Sequence, residues 1–537
     1  MATQEDGFLT TRVGTDGLRS GTMAQPWWKS AVFYQIYPRS FADSGGDGVG
    51  DLEGIRSRLD HLGWMGIDAI WICPFYRSPM TDFGYDVADY CDVDPLFGTL
   101  EDFDRLLADA HARGMKVIVD WVPNHTSDQH PWFVESRSSR QSAKRDWYLW
   151  HDGPGTGNEG RPNNWKAAFG GDTWTWDDAT AQWYLHLFLP TQPDLNWRNP
   201  EVEVAMHDTL RFWLDRGVDG FRVDVVQGLT KDPAFPDDPP GQVLPHAGVN
   251  DCDDTHAVLR GLRRLADSYE GDRMLVGEVY LLSTATVAKY FGNDDELHLA
   301  FDFTPLYAPW DADAWRLRID EAERELGSLG AWPTWTLSNH DNPRHRTRYG
   351  GTEGRARAAA LLLLTLRGAP FVYYGEELGL EEATVVPSRV VDPGGRDGCR
   401  APMPWDGSAG HGWSGAEPWL PWSPDPETRN VEALRADESS ILHVYRRVLA
   451  ARRTSPALRT GGYRALEVGP AARTVLGYER TADDDRRVAL VNFTGDPAEV
   501  ALAGHWTVEV DSDSTAEGTP FAGRLGGDQA VLLSPAE

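Results

Sequence analysis

From about residue 27, short runs of β-branched and aromatic residues alternate with segments whose apolar positions recur every three or four residues. This is the rhythm of βα units around a parallel sheet. The first run is Val32 to Pro38. Ile55, Leu59 and Leu62 then follow at helical spacing, Gly63 and Gly66 stop the helix, and Ala69 to Pro74 makes a second strand. In the next unit Thr99 and Asp102 form a capping-box pair, Phe103, Leu106, Leu107 and Ala110 supply one apolar face, Gly114 ends the helix, and Lys116 to Pro123 is the third strand. Further runs at Gly220 to Val226, Met274 to Tyr280, His298 to Pro305, Trp332 to Asp341 and Pro370 to Glu377 bring the strands to eight. The pattern predicts an α/β fold, a (β/α)8 TIM barrel over residues 26–124 and 197–456, whose active site lies where the strands' C-terminal ends meet their loops.

Two stretches are too long to be plain connections. Residues 125–196, rich in Trp, Gly and Asn, read as an inserted subdomain after strand three, and 378–430, rich in Pro and Gly, as an insertion covering the active site. Trp147, Trp165, Trp174 and Trp176 in the first of these are candidate rim contacts for a ligand. Ile441, Val444, Tyr445 and Val448 mark a last amphipathic helix. Beyond it, Tyr463 to Val468, Thr474 to Arg480, Arg487 to Thr494 and Trp506 to Asp511 alternate as short strands, predicting a C-terminal antiparallel β-sandwich over 457–537. Residues 1–25 are polar, with Glu5 and Asp6 where a signal peptide needs basic and apolar residues, and are expected to be a mobile N-terminal extension.

Charge narrows the partners. The chain has 51 Lys and Arg against 82 Asp and Glu, a formal charge of −31, which repels phosphate backbones and anionic lipid. No nucleic-acid or membrane partner is expected, and no apolar run approaches the ~18 residues of a spanning helix. The four cysteines, Cys73, Cys91, Cys252 and Cys399, include no CxxC pair and read as reduced thiols in a cytoplasm. The expectation is a cytoplasmic protein, monomer or homodimer, acting on small molecules with no organic cofactor.

Three acids fall at the C-terminal ends of predicted barrel strands: Asp224 on strand four, Glu278 on strand five and Asp341 on strand seven. One such acid is ordinarily a helix cap or ion-pair partner; three around one barrel mouth point to catalysis. Arg222 stands two residues before Asp224, so strand alternation turns both to one face, and its cation is expected to keep Asp224 ionised. Glu278, between Gly277 and Val279, is expected to be partly desolvated and so suited to act as a general acid. Two carboxyls of opposed protonation are what glycoside hydrolysis requires.

Four motifs carry a resemblance: Asp120-Trp-Val-Pro-Asn124-His125, Gly220-Phe-Arg222-Val-Asp224, Gly277-Glu278-Val-Tyr280 and Ser338-Asn-His340-Asp341. Their order and placement on strands resemble the conserved regions of the α-amylase superfamily, glycoside hydrolase family 13. Gln192-Pro-Asp-Leu-Asn196 is similar to a fifth region as found in the α-glucosidase and oligo-1,6-glucosidase branch. The resemblance implies Asp224 as nucleophile, Glu278 as acid and then base, and Asp341 as the acid that grips hydroxyls of a distorted sugar. It implies Asp82 and Tyr85 at the closed end of the sugar site, with His125, Phe188, Gln192, Arg222, His340 and Arg400 as further ligands. The implied activity is exo-acting release of glucose from short α-glucosides. Val225, just after the nucleophile, leans it towards α-1,6 linkages, since Thr or Ala there accompanies α-1,4 preference in similar enzymes. Glucosyl transfer or isomerisation, of trehalose synthase or sucrose isomerase type, is the alternative. Some relatives are non-catalytic transporter subunits, but these lack an acid or carry a membrane helix.

The Gly-rich segment Asp43-Ser-Gly-Gly-Asp47-Gly-Val49-Gly-Asp51 offers carboxylates at its first, fifth and ninth positions and a carbonyl at Val49. It resembles a structural Ca2+ (or Mg2+) loop, although Gly45 stands where relatives carry Asn, and it reads otherwise as an acidic turn.

Overall fold

The predicted strands form one parallel sheet curled into a barrel: β1 (Phe33–Ile36), β2 (Ala69–Ile72), β3 (Lys116–Trp121), β4 (Gly220–Val223), β5 (Met274–Glu278), β6 (Leu299–Phe301), β7 (Thr334–Thr336) and β8 (Ala369–Tyr373). The computed structural model describes residues 25–241, 249 and 251–536, so the N-terminal extension expected over 1–25 lies, but for residue 25, outside the described residues. Hydrogen-bonded neighbours run β6-β5-β4-β3-β2-β1-β8-β7. The circuit closes between β6 and β7 through a side chain, Thr334 Oγ1 donating to the Ala300 carbonyl at 2.6 Å. Every barrel strand except the rim positions Lys116 and Glu278 is buried, as a sheet covered on both faces requires. The interior is filled by rings rather than left as a pore: Phe33 stacks on Phe371 at 4.4 Å, Phe301 meets Phe371 edge-on at 4.7 Å, and Trp71 lies 5.7 Å from Phe301.

Local chemistry places the helices as expected. Thr99 and Asp102 close both bonds of the capping box over Leu100–Ala112. The stripe of Ile55, Leu59 and Leu62 belongs to two helices, Leu52–Ser57 and Leu59–Met65, because Arg58 leaves helical geometry (φ −107°, ψ 2°) between them. Gly66 caps the second at φ 101°, a left-handed position glycine adopts freely.

Within 125–196, Trp150–His151, Trp174–Asp177 and Gln182–Leu185 make a three-stranded sheet with a small core of its own, built on Trp165, Trp174, Trp183, Leu185 and Leu187. Phe235 and Val249, from the segment after β4, pack into that core. The barrel's own loop therefore completes the insertion. The tail holds a five-stranded antiparallel sheet, ordered β9-β10-β11-β13-β12, from β9 (Gly462–Ala465), β10 (Val475–Ala482), β11 (Asp485–Asn492), β12 (Trp506–Asp511) and β13 (Ala530–Pro535). β13 was absent from the sequence reading, yet it is central, pairing with both β11 and β12. The opposing layer of the expected sandwich is only a two-stranded ribbon, Ala498–Glu499 with Arg524–Leu525, over an apolar cluster. Among the described residues no helix is long and apolar enough to cross a membrane, and all four cysteines are free thiols.

Candidate active site

Strand register assembles the centre of the site. Arg222 on β4 lies across from Asp120 on β3 and from Val276 on β5, with Asp224 just beyond the strand end and Glu278 at the end of β5. The Arg222 guanidinium, 2% exposed, serves three carboxylates at once: Nη1 donates to Asp120 at 2.9 Å and to Asp224, and Nη2 donates to Glu278 Oε2 at 2.7 Å. Glu278 Oε2 also accepts from the Val225 amide at 3.2 Å. A Cβ at Gly277 would stand 2.4 Å from Leu297 Cδ1, so any larger residue there would have to displace the Leu297 side chain.

Arg222 favours the ionised form of Asp224, as expected, but divides its charge among three acids. Burial pushes Asp224 well above the ordinary carboxylate range, with Arg222 opposing and the Glu278 and Asp120 charges adding to the rise. Asp120 is raised by the same burial against the same guanidinium. Asp224 and Glu278 meet on the same guanidinium, through Nη1 and Nη2 respectively.

A second set of ion pairs builds the closed end. Arg396 Nη1 donates to Asp341 at 2.9 Å while its Nη2 reaches Asp82 at 2.7 Å and Asp392 at 2.6 Å. Arg400 adds 3.2 Å contacts to Asp341 and Asp392. Burial opposes ionisation of Asp341, but His340 and the guanidiniums of Arg396 and Arg400 hold it well below the usual range. Asp82 is raised by burial, with Arg396 and Arg400 opposing. Burial lowers His125 to about 4 and His340 to about 3. Gln35 Nε2 donates to His340 Nδ1 at 2.7 Å, leaving the Nε2 proton for the Tyr85 hydroxyl at 2.5 Å, and Tyr85 donates to Asp120 at 3.1 Å.

These groups surround a cavity of about 430 Å3 lined by Asp82, Tyr85, His125, Phe188, Asp224, Glu278 and Asp341 from the sequence-read set. That falls within the roughly 300–1,000 Å3 of small-ligand sites. Arg222, Gln192, His340 and Arg400 stand behind the lining, each at most 2% exposed, as supports for it. Gln192 Nε2 donates to Asp82 at 3.0 Å. Lys231 Nζ lies 2.8 Å from both Asn124 Oδ1 and Asp194 Oδ2, tying the end of β3 to the segment that carries Gln192. Asp341 and His340 stand on the loop past β7, which ends at Thr336, rather than on the strand itself.

Sequence reading missed Arg396, Phe169, Tyr280 and Tyr307, all in the wall. For Arg396 a signal existed, its spacing of one turn from Arg400 in Arg396-Asp-Gly-Cys-Arg400. The four tryptophans read as rim contacts do not line the cavity: Trp147, Trp165 and Trp174 are buried, Trp176 packs on the subdomain core, and Phe169 and Phe188 face the cavity instead. Val225, also in the wall, holds φ 43° and ψ 50°, a left-handed conformation costly for a β-branched residue.

The loop of Asp43, Asp47, Val49 and Asp51 is closed by its own donors. Asp43 accepts from the amides of Gly46 and Gly48, Asp47 from Val49, and Asp51 from Ser44, Gly45 and Gly54. The amides of Ala416 and Trp419 in the second insertion donate to the Gly46 and Gly48 carbonyls. Among the described residues no three acids, histidines or cysteines converge as an ion's ligands would. The residues that would hold a calcium or magnesium ion here are Asp43, Asp47, Asp51 and the Val49 carbonyl, and no chemistry is routed through one.

The model of the α-amylase catalytic domain matches residues 35–461. The chain belongs to the α-amylase family. This α-amylase-family chain is 42% identical over 503 residues to the probable α-glucosidase of Rhizobium meliloti (strain 1021), covering 88% of this chain and 90% of that one. It is 36% identical over 521 residues to the oligo-1,6-glucosidase of Parageobacillus thermoglucosidasius, covering 88% and 91%. Among solved structures it is similar to an α-glucosyl transfer enzyme, XgtA, at a TM-score of 0.88 and 41% identity over 95% of this chain and all of that one. The family and these relatives make the protein a glycoside hydrolase, similar to a probable α-glucosidase and to an oligo-1,6-glucosidase.

Proposed function

We propose that this protein is a retaining, exo-acting α-glucosidase that removes the non-reducing terminal glucose from short α-glucosides, with a preference for isomaltose-type linkages. The observation that carries the reading is the ion-paired wall of the cavity, where Arg396 ties Asp82 to Asp341 beside Asp224 and Glu278, an end suited to a terminal sugar. A glucosyl ring held there places its anomeric carbon towards Asp224 and Glu278. Asp224 attacks that carbon as Glu278 protonates the departing oxygen, giving a covalent glucosyl ester. Glu278 then takes a proton from water, whose oxygen attacks the same carbon and frees Asp224 with the α configuration retained. Arg222 donates to both acids and so stabilises the carboxylate on either of them through the cycle.

Transfer to a second acceptor is the other reading, favoured by Tyr280 (36% exposed) and Tyr307 (47% exposed) at the mouth beside Glu278. These rings give an acceptor an apolar surface from which to intercept the ester before water does. Glucose release from maltose and isomaltose at matched concentration, with Asp224→Ala as blank, tests both. Faster isomaltose cleavage supports the proposal, faster maltose cleavage overturns its linkage preference, and new disaccharides without free glucose overturn hydrolysis. Full activity of the folded Asp224→Ala protein would overturn the nucleophile; the expected loss is about four orders of magnitude.

A further inference from the structure

On the barrel face opposite the acids, a second pocket of about 100 Å3 is lined by Ser30, Asp68, Arg452, Arg453 and Arg459, among others. Val32, one residue before β1, and Asp68, one before β2, fix it at the strands' N-terminal ends. Its charge is the anomaly. In a chain of net charge −31, three guanidiniums meet here with one carboxylate. Asp68 is already engaged, accepting from the Val32 amide at 2.9 Å, and stands 3.7 Å from Arg453 Nη2. Arg459 Nη2 donates to the Ser30 hydroxyl at 3.1 Å.

Arg452 is the built element. It is 2% exposed, its Nη1 and Nη2 donate to the carbonyls of Leu364 and Gly368 at 3.0 and 2.8 Å, and its Nε–H has no acceptor among the described residues. Burial lowers its pKa to about 10, with Asp68 opposing and Arg459 adding to the fall. A buried cation without a carboxylate partner is costly, and a bound anion is what relieves it. With a water occupying ~30 Å3 of liquid, the pocket holds one tetrahedral anion and little more.

We propose that this pocket binds a small tetrahedral oxyanion of the phosphate type, held by Arg452, Arg453, Arg459 and the Ser30 hydroxyl. Forked guanidiniums match such oxygens in pairs. An organic ester of that phosphate would leave its carbon portion outside, since the cavity takes only the head. The bound anion would join the helix Trp27–Ser30, the helix Ile441–Thr454 and the short helix Pro456–Thr460 that leads into the C-terminal sheet.

Calorimetric titration of the full chain with inorganic phosphate, in sodium chloride of matched ionic strength, tests this. The expected result is saturable binding to one site, displaced by sulfate and at least tenfold weaker in the Arg453→Gln/Arg459→Gln variant. Both residues are exposed, so the variant keeps the fold, as unchanged glucose release would verify. A parallel titration with glucose 6-phosphate separates the sources: binding there assigns the site to phosphate esters, and binding of phosphate alone assigns it to the free ion. Non-saturating heats with both, or equal affinity in the variant, would overturn the proposal.

Discussion

Removing Arg396 is the sharpest perturbation the structure offers, because this one side chain, 13% exposed, fastens Asp341 to Asp82 at the closed end. In Arg396→Ala two charge-assisted hydrogen bonds to cavity acids disappear, each worth roughly 1.5–3 kcal/mol when buried. Arg400 remains 3.2 Å from Asp341 and takes up part of the loss, so the net effect is that of about one bond. At 1.36 kcal/mol per tenfold, kcat/KM should fall roughly 10- to 150-fold. The loss should appear in both KM and kcat, since Asp341 and Asp82 face the cavity before and during the reaction. The sign of the pH effect also follows. Arg396 helps to depress Asp341 and opposes the rise of Asp82, so its removal raises both and moves the acid limb of kcat/KM to higher pH. Arg396→Lys keeps the charge without the fork and should recover only part of the activity. Steady-state hydrolysis of a chromogenic α-glucoside between pH 4.5 and 8, with circular dichroism to confirm folding, reads all of this. A folded Arg396→Ala protein within threefold of the parent, with an unmoved acid limb, would refute the reasoning.

Other outcomes are open to measurement. Glu376, 1% exposed behind β8, is raised by burial to about 8, against ~4.3 in an unfolded chain. The folded state therefore holds the extra proton, and stability declines as pH rises from ~4.3 through about 8. Glu376→Gln should flatten the fall of Tm across pH 5 to 8, and an unchanged slope would show that another group sets it. Val225→Thr should raise the ratio of maltose to isomaltose hydrolysis, and an unmoved ratio in product chromatography would end the single-residue account of linkage. Since Asp43, Asp47 and Asp51 are satisfied by backbone amides, chelation should leave Tm unchanged; a drop of several degrees restored by calcium would reveal an ion the donor geometry does not anticipate.

The sequence by itself determined the barrel and three of the acids that line its cavity, Asp224, Glu278 and Asp341. Strands read from apolar runs have a period of two and helices a period near 3.6, signals that local residues carry whatever surrounds them. The same holds for the Thr99 capping box and for the placement of Asp224 and Glu278 at strand ends. What one element does to another was not legible. β13 reads as a tail until β11 and β12 are seen to pair with it from either side. Phe235 and Val249 read as loop residues until the subdomain core receives them. The protonation of the site was likewise settled in space. Arg222 stands two residues from Asp224 in the chain, but Asp120 and Glu278 claim the same guanidinium from strands more than fifty residues away, and burial then outweighs the shared charge. Arg396 became the clamp of the closed end only because residues 314 apart in sequence, Asp82 and Arg396, meet at 2.7 Å. Hydrophobic periodicity is local and survives in one dimension, whereas desolvation and charge depend on every neighbour in three.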